Sequence, residues 1–410
     1  MVAGLVGLVG SPASAATLVV DADGMASIAN CNASDPAFTT ITAAHAAAIA
    51  GDTITVCPGT YNESVTINKN NITLLGAKAG VPAGPDATPA DRGTDESVVN
   101  GAVGGHVIRT NNRDTTIDGF TLNTNPASPQ QSAVFTSAQS PRDSVVNNIM
   151  VGGAAVPTSN AAGINSASFS GHTLAFNNIR GFSYGIRADG TPTDAQTSVD
   201  SNYMTANTRY GFFTFGSVSN GHLITNNVIE MNNSGMLVAQ GGHDISGNTV
   251  RDNTNSAIIL FATPRTFGTV INDNELLDNL RGIYLFGDDP GAVDNEGHNN
   301  NIVGNAFGVL NLNTAEFDGD CNWWGSETGP TDPAGNPTGT GDSSTGNVDY
   351  RPWLDGAAPS GSCTVNTPPS EDACKKDGWM TYTDDEGRRF KNQGDCVSYV
   401  QTDGRNKADG

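Results

Sequence analysis

Short apolar segments separated by asparagine recur along the middle of the chain. The pattern is an apolar residue, two further residues, asparagine, one residue and a second apolar residue. Its asparagines lie 29, 25, 25, 21, 26 and 31 residues apart, at Asn148, Asn177, Asn202, Asn227, Asn248, Asn274 and Asn305. A helical repeat would need apolar residues three and four apart over longer stretches, whereas these runs are short and alternating. The pattern therefore predicts a parallel β-solenoid in which each repeat forms one coil.

A second apolar strand follows each repeat asparagine. These strands begin at Gly185, Gly211, Gly235, Ala257 and Gly282. When they are stacked on these residues, Arg187 and Asp189 must face outward, because an apolar lumen would not hold them unpaired. The inward columns are then Ile186, Phe212, Met236, Ile258 and Ile283, and Ala188, Thr214, Val238, Leu260 and Leu285. This register predicts a continuous apolar core.

The outward columns of the same strands are also mostly apolar. They contain Arg187, Phe213, Leu237, Ile259 and Tyr284, and Asp189, Phe215, Ala239, Phe261 and Phe286. Adjacent coils are about 4.8 Å apart, so these residues form one contiguous surface. Soluble monomers rarely leave such a surface bare. We expect Phe213 and Phe215 to be covered by a loop or the C-terminal module, by a partner protein or second copy, or by a glycan. The candidate binding residues are Phe213, Phe215, Phe261, Tyr284, Phe286 and Arg187.

The asparagine repeats resemble those of the right-handed parallel β-helix, or pectin-lyase-like, proteins that bacteria export. Residues 38–76 are similar to the N-terminal cap and first coils of that family, where an amphipathic helix, here about 42–49, closes the open end. The segment "TTIDGFTL" (115–122) is another typical coil, and 321–354 resembles the closing segment. The resemblance implies an all-β, right-handed parallel β-helix with a helical cap. It leaves function open, because this fold carries lyases, hydrolases, esterases, epimerases and non-catalytic surface proteins.

The regions outside the solenoid differ in composition. Residues 1–16 are similar to the apolar core and cleavage site of a secretory signal with a truncated basic start. We place the solenoid at 17–357, a Pro/Gly/Ser-rich linker at 358–370, a small C-terminal module at 371–403 and a disordered tail at 404–410. The module resembles a short segment appended to assorted bacterial exported proteins. We expect its miniature core to be Trp379, Tyr382, Phe390 and Tyr399.

Six cysteines in an exported chain favour disulfides. Local spacing favours the pairs Cys31–Cys57, Cys321–Cys363 and Cys374–Cys396, and no CxxC pair indicates a metal or redox role. The last pair would staple a module too small to be stable by burial alone. No transmembrane segment is evident in the sequence. The expected location is secreted, either extracellular or at the cell surface.

Charge narrows the choice of partners. The chain of 410 residues has a net charge of −22, which disfavours nucleic acid and anionic membranes. No catalytic set is recognisable, so the catalytic residues are unassigned. His222 and His243, with His172 in the same pattern, form either a turn ladder or part of a metal site. Calcium is a candidate ligand for the acidic loop that contains Asp288, Asp289 and Asp294, against the alternative of a solvated loop.

The sequence thus favours a non-catalytic scaffold that binds an extracellular polysaccharide or a surface protein through the outward strip. The alternative is a carbohydrate-active enzyme, either a polysaccharide lyase or a glycoside hydrolase. That alternative rests on the resemblance in fold.

Overall fold

The chain folds as a right-handed parallel β-solenoid. The computed structural model describes residues 14–84, 92–153, 160–167, 171–189, 195–215, 221–239, 241–261, 268–287, 293–363, 365–385 and 387–408. In this part of the chain the strands form three parallel sheets with 13, 12 and 10 strands. Between residues 53 and 311, each coil contributes one strand to the thirteen-stranded sheet, then one to the ten-stranded sheet, then one to the twelve-stranded sheet. The predicted fold class is confirmed.

The strands of the thirteen-stranded sheet are β1 (Thr17–Val20), β2 (Thr53–Val56), β5 (Thr73–Leu75), β8 (Thr116–Asp118), β11 (Ser144–Val146), β14 (Thr173–Ala175), β17 (Ser198–Asp200), β20 (Leu223–Thr225), β23 (Asp244–Ser246), β26 (Val270–Asn272), β29 (Glu296–His298), β32 (Phe317–Asp318) and β35 (Val348–Asp349). Those of the ten-stranded sheet are β3 (Gly59–Asn62), β6 (Ser97–Asn100), β9 (Phe120–Asn123), β12 (Ile149–Val151), β15 (Asn178–Arg180), β18 (Tyr203–Thr205), β21 (Val228–Glu230), β24 (Thr249–Arg251), β27 (Glu275–Leu277) and β30 (Asn301–Val303). Those of the twelve-stranded sheet are β4 (Val65–Ile67), β7 (Ile108–Thr110), β10 (Val134–Thr136), β13 (Ala162–Ser166), β16 (Tyr184–Asp189), β19 (Tyr210–Phe215), β22 (Ser234–Ala239), β25 (Ser256–Phe261), β28 (Arg281–Phe286), β31 (Phe307–Asn311), β34 (Gly341–Gly346) and β33 (Pro330–Thr331).

The predicted repeat asparagine occupies the short turn between the thirteen- and ten-stranded sheets. It follows a residue in the left-handed conformation, for example Asn226 before Asn227. Its side-chain oxygen accepts a hydrogen bond from the backbone N–H of the asparagine one coil earlier, over 2.8–3.1 Å. The resulting first asparagine ladder contains Asn148, Asn177, Asn202, Asn227, Asn248, Asn274, Asn300 and Asn322. It satisfies the turn backbone without water.

The assignment of Asn305 to this ladder is wrong. Asn300 takes that place, since its side-chain oxygen accepts from the N–H of Asn274 at 2.9 Å. Asn305 belongs to a second asparagine ladder, Asn207, Asn232, Asn253, Asn279 and Asn305, in the turn between the ten- and twelve-stranded sheets. Both turns place asparagine beside apolar strand residues, so the sequence pattern matches either of them.

The lumen is filled as the strand register predicts. Ile186, Phe212, Met236, Ile258 and Ile283 are fully buried. At the N-terminal end, α1 (Ile41–Ala47) covers the first coil with Ile41 and Ala44, which confirms the predicted cap helix. The Glu63 carboxylate accepts the N–H groups of Ile41 and Thr42 at 2.8 and 2.9 Å, which anchors the start of the helix.

The three expected disulfides are present, Cys31–Cys57, Cys321–Cys363 and Cys374–Cys396. The C-terminal module contains the 3₁₀ helix η1 (Gly378–Thr381) and α2 (Gln393–Gln401). Phe390 and Tyr399 are buried in it beside the disulfide, and Trp379 and Tyr382 pack against them. These four residues form the miniature core that the sequence predicts.

The chain ends depart in part from the proposed boundaries. The expected signal segment falls mostly on residues 1–13, which lie outside the described residues. Residues 404–408, expected as a disordered tail, pack on the module instead: Ala408 is buried, and its N–H donates to Asp384 Oδ2 at 3.1 Å. The linker is also held in place, because Ala358 and the Asn301 amide exchange two hydrogen bonds.

Candidate functional site

The outer face of the twelve-stranded sheet carries the candidate binding residues in the predicted register. Phe213 pairs with Arg187 on one side and Leu237 on the other. On the later coils, Ile259 pairs with Tyr284, and Phe261 pairs with Phe286. Phe212 points into the lumen and Phe213 points outward, as the alternation of side chains along a strand requires.

Seven aromatic rings form one connected series on this face, and we call them the aromatic strip. Its members are Tyr184, Tyr210, Phe213, Phe215, Phe261, Phe286 and Tyr284. Neighbouring ring centroids are 5.1–6.3 Å apart. Such distances are typical of favourable aromatic contacts. The strip therefore runs from β16 to β28, with rings on every strand of this stretch except β22.

One small residue makes the series continuous. The strand β22 lies between β19 and β25 and contributes no ring to the strip. Its residue Ala239 stands in register with Phe261 and is buried. Because alanine has only a methyl group, the rings of Phe215 and Phe261 meet over it at 6.0 Å.

Exposure differs along the aromatic strip. Phe215 is 47% exposed and Phe286 is 44% exposed. Phe213, Phe261 and Tyr284 are half-buried. The described residues of the chain thus cover Phe215 and Phe286 only in part. Among the described residues, the C-terminal module packs at the end of the solenoid, where Arg389 lies over the Tyr350 ring at 4.3 Å, and it does not cover the strip.

Three arginines border the aromatic strip. The guanidinium carbon of Arg187 lies 5.3 Å from the Tyr184 ring centroid, and that of Arg209 lies 4.9 Å from the same centroid. Arg281 lies 4.7 Å from the Tyr284 ring. These distances permit cation–π attraction. In a chain with a net charge of −22, this face therefore places positive charge beside apolar rings.

Tyr184, Tyr210 and Arg209 were not among the residues proposed from the sequence. Burial raises the pKa of Tyr210, which keeps its phenol neutral. Arg209 donates a side-chain hydrogen bond to the hydroxyl of Tyr184, which is itself almost fully buried. A signal was available in the sequence, since "YGIRAD" and "YGFFTF" place a tyrosine directly before the glycine that starts each strand.

Glycan cleavage by acid–base catalysis would need a pair of carboxyl groups on this face. Within the described strands of the twelve-stranded sheet the carboxylates are Asp189 and Asp342. They belong to β16 and β34, which are not neighbours in the sheet. Asp342 also accepts hydrogen bonds from the backbone and side chain of Asn305, so it serves the second asparagine ladder. The described residues of this face therefore provide no paired carboxylates for acid–base work.

The candidate metal-binding residues from the sequence lie in two regions, an acidic loop and a series of histidines. Asp288 and Asp289 lie outside the described residues, while Asp294 is an exposed residue just before β29. The histidines His172, His222 and His243 are buried in a turn ladder. The Nδ1 atom of His243 accepts the His222 N–H at 3.1 Å, and burial holds the pKa of His222 well below its usual value. This geometry supports the turn-ladder alternative.

Two family models match the chain. The first, described as "Right handed beta helix region", matches residues 162–322. The second, described as "Protein of unknown function (DUF1565)", matches residues 23–218. No curated protein matches the sequence. None of the described helices has the length and hydropathy needed to cross a membrane.

The solved structures with a similar fold include three whose names are those of enzymes that act on polysaccharides. The A-module of the mannuronan C-5 epimerase AlgE4 from Azotobacter vinelandii is 16% identical, with 82% of this chain and 87% of that one covered and a TM-score of 0.49. Pectate lyase Pel9A is 12% identical, with 93% and 88% covered and a TM-score of 0.37. Pectin methylesterase PemA from Erwinia chrysanthemi is 13% identical, with 73% and 81% covered and a TM-score of 0.29. At these identities the likeness leaves the ligand of this chain undetermined.

Proposed function

We propose that this right-handed parallel β-solenoid is an extracellular binding protein that holds an extended glycan on its aromatic strip. The observation that carries the proposal is the connected series of seven rings with two exposed members, Phe215 and Phe286. The strip spans five strands, so it is about 19 Å long at about 4.8 Å per coil. That length suits an oligosaccharide better than a single sugar.

The chemistry of the strip supports a glycan over a protein partner. The C–H face of a sugar ring is apolar and packs on an aromatic ring, while its hydroxyl groups need hydrogen-bond partners at the edge. Guanidinium groups carry several N–H donors, and those of Arg187, Arg209 and Arg281 border the rings. Leu237 and Ile259, which pair with each other on the same face, have no polar groups and favour a protein partner instead. A protein partner, including a second copy of this chain, is the alternative occupant.

Binding is favoured over catalysis because the carboxylates of the described strands on this face are not neighbours. The alternative function, a polysaccharide lyase or glycoside hydrolase, would need an acid–base pair close to the sugar rings. Calcium near Asp288 and Asp289 belongs to that alternative.

The test compares binding of a panel of neutral and acidic polysaccharides to the wild type and to the double variant Phe215→Ser/Phe286→Ser. Both positions are exposed, so the variant should keep the stability of the wild type. We expect its affinity for the bound polysaccharide to fall at least tenfold. The control is Phe176→Ser, an exposed ring on the turn between the other two sheets, which should bind as the wild type does.

Equal affinity of the double variant and the wild type would rule out the strip as the binding surface. Absence of polysaccharide binding, together with a dimer that the double substitution dissociates, would assign the strip to self-association. The same panel, assayed for new reducing or unsaturated chain ends with calcium present and with calcium chelated, tests the enzyme alternative. New chain ends in either condition would make the protein a carbohydrate-active enzyme.

A further inference from the structure

A second cluster of functional groups lies on a different surface, the outer face of the thirteen-stranded sheet near its C-terminal end. Glu296 and His298 are two residues apart on β29, so both side chains point outward. Asp318 on the next strand pairs with Glu296 in register. The backbone of two successive coils therefore brings two carboxylates and one imidazole together.

The three side chains are close enough to share one ion. One ligand atom from each of Glu296, His298 and Asp318 lies within 4.8 Å of the others. Glu296 Oε2 and His298 Nε2 are 3.9 Å apart. Around a metal ion with bonds of about 2.1 Å, neighbouring ligand atoms are about 3–4 Å apart, so small rotations of these side chains suffice.

Asp320 holds the imidazole in the orientation that metal binding requires. Its Oδ1 is 2.6 Å from His298 Nδ1, which places the proton of the neutral ring on Nδ1. In the neutral ring Nε2 then carries the lone pair, 3.9 Å from Glu296 Oε2. The Asp320 carboxylate also raises the pKa of His298 to about 9, so a metal ion bound at Nε2 would replace a proton there. A carboxylate that fixes a histidine in this way is the usual outer partner of a metal-binding imidazole.

The negative charge along this face is only partly balanced by the side chains around it. Glu296, Asp318 and Asp349 form one column on three successive strands. Like charges in directly paired positions of a sheet repel one another. Arg389 lies 3.9 Å from Asp349, and His298 Nε2 lies 3.9 Å from Glu296 Oε2. Within the described part of the chain, no lysine or arginine pairs with Glu296 or Asp318. A divalent ion between them would remove this repulsion.

We propose that Glu296, His298 and Asp318 bind a divalent transition-metal ion of the zinc type, with Asp320 as the positioning residue. The imidazole ligand indicates this class of metal ion, because a ring nitrogen suits zinc and the neighbouring transition metals. Calcium, in contrast, takes six to eight oxygen ligands. Three protein ligands leave one or more coordination positions to water. The site is on a different sheet from the aromatic strip, and its existence does not depend on glycan binding.

The test is a calorimetric titration of the full, untagged chain with zinc chloride after removal of metals with a chelator. We expect one saturable site in the wild type. His298→Ala should weaken binding at least 100-fold, and Asp320→Asn should weaken it about 10- to 100-fold. Asp244→Asn is the matched control, because this exposed carboxylate occupies the same outward column two coils earlier and should leave the affinity unchanged.

Thermal unfolding of each variant in chelator shows whether it is folded, so a lost site can be told from a lost fold. The proposal is overturned if folded His298→Ala binds zinc as tightly as the wild type, or if Asp244→Asn weakens binding as much as His298→Ala does. Saturable calcium binding that depends on Glu296 and Asp318, with no zinc binding, would overturn the assignment of the metal class.

Discussion

Asp143 is a carboxyl group buried in a turn of the solenoid. Its Oδ2 accepts from the Thr110 hydroxyl at 2.6 Å, and its Oδ1 accepts from the Thr115 N–H at 2.9 Å. The Asp143 N–H donates to His172 Nδ1 at 3.1 Å. Burial, aided by the negative charge of Asp114, raises the pKa of Asp143 from 3.8 to about 7 against the effect of its two hydrogen bonds.

This pKa predicts a stability that depends on pH. Because the folded-state pKa is above the unfolded value, the folded chain binds the extra proton between pH 4 and 7. Stability from this group therefore falls as the pH rises from about 4 towards 7 and is constant above that. Asp143→Asn keeps the shape of the protonated acid without its charge. At pH 8 we expect the variant to be more stable than the wild type, by on the order of 4 kcal/mol at most.

Urea unfolding of both proteins between pH 4 and 8 measures the effect. The two curves should nearly coincide at pH 4, which serves as the internal control, and diverge as the pH rises. A difference in unfolding free energy that stays constant over this range would contradict the raised pKa.

At the scale of the element, the second asparagine ladder links one coil to the next. Asn232 Oδ1 accepts from the backbone N–H of Asn207 at 2.9 Å. Its side-chain amide donates to the Met204 carbonyl at 3.1 Å and to Asn253 Oδ1 at 3.1 Å. The side chain is buried, so its removal leaves these backbone groups without water to replace it.

Asn232→Ala should therefore lower the free energy of unfolding by about 3 kcal/mol or more. The adjacent Asn233 is exposed and provides a matched control, since Asn233→Ala should change stability by less than about 0.5 kcal/mol. Chemical denaturation of the two variants distinguishes the ladder from a general preference for asparagine in turns. Similar losses of unfolding free energy at both positions would show that the ladder does not stabilise the solenoid.

The ladders also show what a repeat pattern can and cannot predict. The inward positions of Phe212 and Met236 followed from strand alternation and from the exclusion of unpaired charge, because both are local constraints. The turn to which Asn305 belongs could not be predicted in this way. The later coils contain two asparagines five residues apart, and the sequence pattern matches the surroundings of either one. Only the hydrogen bonds between coils, Asn274 to Asn300 and Asn279 to Asn305, separate the two turns.

At the scale of the whole molecule, the candidate sites depend on which coils become neighbours. The strip could be predicted because its strands share a glycine or alanine that fixes their register. The contact between Phe215 and Phe261 could not, since it passes over Ala239 and requires ring positions that no spacing encodes. The pairing of Glu296 with Asp318 likewise could not be predicted, because β32 is only two residues long and has no alternating apolar pattern that fixes its register.

The C-terminal module is attached to the end of the solenoid and should unfold independently of the solenoid. In a solenoid each coil contacts only its neighbours, so a change at one end is not transmitted along the chain. The module meets the solenoid where Arg389 packs on Tyr350 and lies 3.9 Å from Asp349. Its own core is small, and the Cys374–Cys396 disulfide closes a loop with a sequence separation of 22. Such a crosslink contributes about 3 kcal/mol, which a module of this size cannot replace by burial.

Cys374→Ser/Cys396→Ser should therefore unfold the module and leave the solenoid folded. Limited proteolysis should cut the variant after residue 365 and release a stable fragment, while the main thermal transition shifts by only a few degrees. The control is Cys31→Ser/Cys57→Ser at the opposite end, which should leave the module resistant to protease. If the Cys374→Ser/Cys396→Ser variant lost the main transition altogether, the module would be an integral cap, because the last coil would then need its contact with Arg389 to stay folded.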